Sequence, residues 1–114
     1  MSLVISNAFS VNMLDNDDCF QFVRTSKTRA QEIVRRAIKA ENVLSIVGHD
    51  VTAKLFSQEL GIPIPCNRIT YTVKPGDAIL IGQYSGPRLI EGATSLPEGA
   101  KISWWMVEQI LGGY

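Results

Sequence analysis

The stretch Leu44-Ser45-Ile46-Val47-Gly48-His49-Asp50-Val51-Thr52 constrains this chain most. An apolar run stops at Gly48-His49-Asp50 and a helical pattern begins at once. Ala53, Leu55, Phe56 and Leu60 supply its packing residues and Gly61 its stop. The pattern predicts a buried strand, a tight turn, and a helix from about Val51 to Leu60. The N–H groups of a first helical turn have no intrahelical partners and carry partial positive charge, so they attract anions. His49 is the single histidine of the chain and falls at that point. It reads either as a turn residue bonded to nearby backbone or as a proton donor beside a bound phosphate.

The flanking segments supply the rest of a sheet. Leu3-Val4-Ile5 reads as a strand inside it, and Ser10 as the cap of a short helix opened by Val11, Met13 and Leu14. Asp15-Asn16-Asp17-Asp18 reads as a polar turn. Cys19 to Arg24 alternates, with Phe20 and Phe22 on one face, which predicts a half-buried strand. Thr28 followed by Gln31 fits a capping box. Ala30, Ile33, Val34, Ala37 and Ile38 then form one apolar helical stripe. Arg29, Arg35, Arg36 and Lys39 decorate its other faces, either as a solvated surface or as a surface for nucleic acid.

Ile62-Pro63-Ile64-Pro65 is extended, because each proline biases its predecessor away from helix. Ile69 to Val73 and Ala78 to Tyr84 are strand-like, and the turn Lys74-Pro75-Gly76-Asp77 between them predicts a hairpin. Ser85 to Gly92 is a glycine-bounded loop, and such loops often carry function and movement. Leu96-Pro97-Glu98-Gly99 is a further turn. Ile102 to Leu111 reads as a short helix with Trp104, Trp105, Val107 and Ile110, ended by Gly112-Gly113. The order β-α-β-α-β-α-β-β-α predicts an α/β or α+β fold. Its mixed sheet of about five strands is flanked by helices in a single small domain over residues 1–114.

Composition narrows the function. Formal net charge is zero, which argues against a protein that coats DNA or lies on a membrane surface. Cys19 and Cys66 are far apart and lack flanking ligand types, so neither a metal site nor a disulfide framework is predicted. They read as two buried thiols in a reducing cytoplasm. There is no signal peptide and no apolar stretch long enough to span a membrane, so a soluble cytoplasmic protein is expected. Walker and Rossmann glycine loops are absent, and no pattern marks a nucleophile elbow.

What remains suits a metal-free phosphodiester site. His49 gives or takes a proton near neutral pH. Arg88 and Glu91 sit three apart in the glycine-bounded loop, and Arg68 follows Asn67 just before a strand-like run. Arginine forks match phosphate oxygens. Without a metal, a phosphodiester is cut far more easily when the substrate carries its own nucleophile, as RNA does in its 2′-hydroxyl. The protein then aligns that hydroxyl, stabilises the charged phosphorane and protonates the departing 5′-oxygen. His49 fits the acid role and Arg88 the electrostatic one. Glu91 would polarise the hydroxyl or orient His49. The competing reading makes Arg88 and Glu91 an ordinary exposed ion pair.

The sequence resembles the viral ring nucleases, small type III anti-CRISPR proteins of archaeal viruses and bacteriophages. The matching pieces are Asn7-Ala8-Phe9-Ser10 with Asn12-Met13-Leu14, Gly48-His49-Asp50 with Thr52, Asn67-Arg68, Gly76-Asp77, and Arg88-Leu89 with Glu91-Gly92. The resemblance implies a homodimer that binds cyclic tetra-adenylate. It implies that the ring is split without metal or cofactor into di-adenylate ending in a 2′,3′-cyclic phosphate. By the match, His49 is the general acid, assisted by Glu91 and Arg88. Asn7, Ser10, Asn12, Thr52, Arg68 and Gln83 would line the ligand. Two other classes stay open: a dimer that sequesters the messenger without cutting it, and a DNA-binding viral regulator. Zero net charge and the lack of a recognition helix count against the latter.

Overall fold

The computed structural model describes residues 2–14 and 19–110. The predicted turn at Asp15–Asp18 and the end at Leu111–Gly113 lie outside the described residues. Five strands form one mixed sheet: β1 (Leu3–Ser6), β2 (Cys19–Thr25), β3 (Val43–Ser45), β4 (Ala78–Ser85) and β5 (Lys101–Ile110). Their order across the sheet is β2-β5-β4-β1-β3. β1 pairs in parallel with β3 on one side and β4 on the other, whereas β5 is antiparallel to both β4 and β2. The predicted α+β class and strand number are those observed.

Two helices, α1 (Lys27–Lys39) and α2 (Asp50–Leu60), cover one face of this sheet. Ala30 and Val34 of α1 and Ala53, Phe56 and Leu60 of α2 pack onto Leu3, Ile5, Leu80 and Trp104. The opposite face carries Val4, Ile79, Ile81 and Val107. It is covered by chain segments rather than helices, through Val73 and the half-buried Phe9, Met13 and Tyr71. Ser10 caps a single turn of 3-10 helix at Val11–Met13 by accepting from the Asn12 amide, 3.3 Å away.

Four expectations are corrected. Ile102 to Leu111 is not a helix, since Lys101–Ile110 is the longest strand. Ile102, Trp104 and Met106 face the helices, while Trp105 and Val107 face away. A strand buried on both faces reads as a nearly unbroken apolar run, and Trp104 and Val107, three apart, imitate a helical stripe. The hairpin joins β4 to β5 rather than residues 69–73 to β4. Both edges of β4 are taken by β1 and β5, so Ile69–Val73 cannot pair with it. It runs across the second face instead, where the Val73 amide donates to the Met13 carbonyl at 2.7 Å. Lys74-Pro75-Gly76-Asp77 remains a turn, closed by Asp77 N–H on Lys74 O at 3.0 Å. The α1 cap is Ser26, whose hydroxyl accepts from the Arg29 amide, so Thr28 lies within the helix. Lastly, Cys66 is exposed and Cys19 half-buried, rather than both buried.

α1 keeps the predicted apolar stripe, with Ile38 at its exposed margin. On its outer surface Arg29 and Arg36 both pair with Glu32. α2 ends as predicted, with Gly61 in the left-handed conformation at φ 67°.

Candidate active site

The site gathers at the carboxyl ends of the three mutually parallel strands, the edge where open sheets of this kind bind ligands. Asn7 follows β1, His49 follows β3, and Arg88 follows β4. His49 is the N-cap residue of α2 and has extended backbone angles (φ −125°, ψ 129°). Its carbonyl accepts the first helical bond from Ala53 at 2.9 Å, but its imidazole makes no capping bond. The ring is therefore not spent on its own turn and stands exposed to solvent.

The strand-to-helix turn is fixed from the side. The Asn67 carboxamide donates to Ser45 O at 2.9 Å, and the Asn67 amide donates to Val47 O at 2.8 Å. Ser45 Oγ donates to Pro65 O at 2.6 Å. These bonds bring Arg68 over the turn. A Cβ added at Gly48 would lie 3.4 Å from Arg68 Cγ, so the arginine stem runs directly across the glycine.

An open cleft of about 620 Å³ joins His49, Asp50 and Thr52 of this turn to Arg88, Leu89 and Glu91 of the loop after β4. Lys54 also lines it and pairs with Asp50 at 3.0 Å. Arg88 and Glu91 are exposed and take no part in the ion pairs of the described residues, which are Arg29–Glu32, Arg36–Glu32 and Lys54–Asp50. The loop is anchored at its root, where Tyr84 Oη donates to Pro87 O at 2.5 Å. Gly86 sits so close to Ala100 that a Cβ would come within 2.6 Å of the Ala100 Cβ.

A second cavity of about 350 Å³ lies on the other side of His49 and includes Asn7, Ser10 and Asn12. Its shape is set by the turn after β1, where Ser6 Oγ donates to Ala8 O at 2.6 Å. Thus His49 borders both spaces, with Thr52, Arg88 and Glu91 on one side and Asn7, Ser10 and Asn12 on the other. Gln83 lines neither cavity; it is exposed on β4, its amide 3.4 Å from Tyr84 O.

One lining residue of the second cavity escapes sequence reasoning. Tyr71 lies in the run read as a strand, where an aromatic residue needs no further explanation. Its hydroxyl donates to Asp77 Oδ2 at 2.6 Å, and the Lys74 amide donates to the same oxygen at 2.9 Å. Burial, then the hydrogen bond and the charge of Asp77, push the Tyr71 phenol up to about 12. Asp77 itself is buried, 8 % exposed. The only sequence signal is one tyrosine, Tyr71, six positions before a turn acid, Asp77.

No curated protein matches the chain. Among solved structures it is similar to B116 of Sulfolobus turreted icosahedral virus, at 26% identity and a TM-score of 0.82, covering 94% of this chain and 98% of that one. The family model described as STIV B116-like matches residues 3–104, which takes in every element from β1 through β4, the start of β5 and every candidate residue above, and the chain belongs to that family.

Proposed function

We propose that the chain is a metal-independent ring nuclease. It binds cyclic tetra-adenylate as a homodimer and cuts it to linear di-adenylate, which antagonises type III CRISPR immunity in the host cytoplasm. The observation that carries this reading is the convergence of His49, Thr52, Arg88 and Glu91 on one cleft from distant parts of the chain. A proton donor, a phosphate-binding fork and a carboxylate are the groups that 2′-hydroxyl attack requires.

In the reaction, the 2′-oxygen attacks the adjacent phosphorus and closes a 2′,3′-cyclic phosphate. The bond to the 5′-oxygen breaks in line, and His49 supplies the proton that this oxygen needs to leave. Glu91 takes the proton of the attacking 2′-hydroxyl, and Arg88 offsets the charge on the phosphorane. The N–H groups of the first turn of α2 add to that field. Among the described residues no three His, Cys, Asp or Glu side chains cluster as a metal site.

The face of the sheet away from the helices supports the dimer. Phe22, paired with Val107 of that face, is 50 % exposed, and Val11 and Ile69, in the segments that carry Met13 and Tyr71, are 77 % and 47 % exposed. Large apolar groups left open on one surface favour a partner. A two-fold dimer duplicates every site residue, so a ring of four identical nucleotides fits its axis. No helix among the described residues is long and apolar enough to cross a membrane.

The test is incubation with cyclic tetra-adenylate in excess EDTA, followed by product analysis. The expected product is di-adenylate with a 2′,3′-cyclic phosphate, and a ring with 2′-methoxy sugars should bind uncut. Return of the natural ring intact would leave a sequestering protein. Cutting of the 2′-methoxy ring would mean that water attacks.

A further inference from the structure

The cavity of about 350 Å³ beside His49 has a different character from the cleft that holds Arg88 and Glu91. Beyond His49, which both spaces share, it has no lysine or arginine in its lining. Met13, Ile46, Ile69 and Tyr71 give it apolar walls, and Asn7 stands at its polar side. Its volume falls at the lower end of ligand-sized pockets. Apolar walls, one aromatic ring and carboxamide side chains do not match a phosphate. They match a nucleobase, which presents a π-face for stacking and an edge for hydrogen bonds.

Tyr71 is fixed at both ends. Its ring packs half-buried against the core of Val4, Val73, Ile79, Ile81 and Val107. Its hydroxyl is tied to Asp77, a buried carboxylate that the Lys74 amide holds in turn. A stacking platform loses little freedom on binding when its ring is already immobilised. The hydroxyl donates to Asp77 at 2.6 Å, so what Tyr71 brings to the cavity is its aromatic ring rather than a free phenol donor.

We propose that Tyr71 of each protomer is the base-stacking residue for one adenine of the bound ring, held in place by Asp77 as a positioning residue. This rests on the reading of the chain as a cyclic tetra-adenylate binder. It divides the ligand between the two spaces around His49: phosphate toward Arg88, base toward Tyr71. The carboxamide of Asn7 is the group suited to read the N6 and N7 edge of an adenine.

The test uses the full chain carrying His49→Ala, so that the ring is held and not consumed. A cyclic tetra-adenylate with 2-aminopurine in place of adenine reports stacking as fluorescence quenching. Binding should quench it, and adding Tyr71→Phe should keep the quench. Adding Tyr71→Leu should relieve it and weaken affinity by about 10-fold or more, within the range for one lost base stack. Absence of quenching at saturation overturns the proposal, whether or not the leucine variant folds. Equal losses in the phenylalanine and leucine variants also overturn it, because they place the effect in the hydroxyl and the fold. If the His49→Ala chain binds neither the natural nor the labelled ring, the cyclic tetra-adenylate reading itself falls, and Tyr71 with it.

Discussion

Replacing Gly82 with alanine tests how tightly the sheet holds α2. A Cβ at Gly82 would stand 2.5 Å from Phe56 Cζ and 2.7 Å from Trp104 Cζ3, where ordinary contact starts at 3.4 Å. The two rings would have to retreat by roughly 0.7–0.9 Å in an interior packed as densely as a crystal. Neither has room: Phe56 is 0 % exposed and Trp104 2 %, and they meet edge to face with centroids 4.9 Å apart. Overpacking of this kind costs about 1–3 kcal/mol. For a domain of this size that lowers the melting temperature by about 4–12 °C. Because Phe56 belongs to α2, the displacement reaches the helix whose first residue is Asp50, next to His49. The assay is urea unfolding followed by tryptophan fluorescence, with the slope checked for constancy. Combining Gly82→Ala with Phe56→Leu should cost less than the sum of the two, since the smaller side chain makes room for the methyl. An unchanged midpoint for Gly82→Ala, or strict additivity in the double variant, would refute the packing argument.

His49→Ala should slow cleavage by roughly two to four orders of magnitude while ring binding persists, as read by single-turnover kinetics and titration. Arg88→Ala should lose about 2–4 kcal/mol of transition-state stabilisation, with Arg88→Lys recovering only part, since an ammonium lacks the planar fork. Comparing the two rates under saturating ligand checks this. Tyr71 gives an alkaline signature. Its folded value is raised from 10.0 to about 12, chiefly by burial, so the unfolded chain ionises first. The stability this group contributes is whole below pH 10 and is lost as pH rises toward about 12. Denaturation midpoints across that window should fall less steeply in Tyr71→Phe.

The parts of the fold that the sequence makes legible are those where one local signal suffices. Gly61 marks the end of α2 because only a left-handed residue closes a helix that way. Leu3–Ile5 declares itself as a strand because nothing polar interrupts it. The helix expected at Ile102–Leu111 fails because burial on both faces erases the alternation that distinguishes a strand. The Ile69–Val73 strand fails for a reason no local window contains, namely that β1 and β5 already occupy both edges of β4. The site divides in the same way. His49 is legible because it is unique and stands where a strand meets a helix. Arg88 and Glu91 are legible because glycines bound their loop. Tyr71 is not, because the role proposed for it depends on Asp77 across a turn and on a cavity made by residues near Asn7.

The pairing of β2 has a consequence for how the chain assembles. β2 comes early in the sequence, yet among the described strands its sole neighbour is β5, in a register that sets Cys19 opposite Ile110 and Thr25 opposite Trp104. β1 finds β3 after a much shorter excursion, and then β4. On a ribosome, the parallel core and its helices come together while β2, with Phe22 open, waits for the last strand to emerge. Pairings this distant in sequence are slow to close and leave an unpaired edge exposed meanwhile. A chain halted before Lys101 therefore strands β2 and opens one side of β4 together. Premature termination should yield a sticky, incomplete sheet rather than a smaller folded protein.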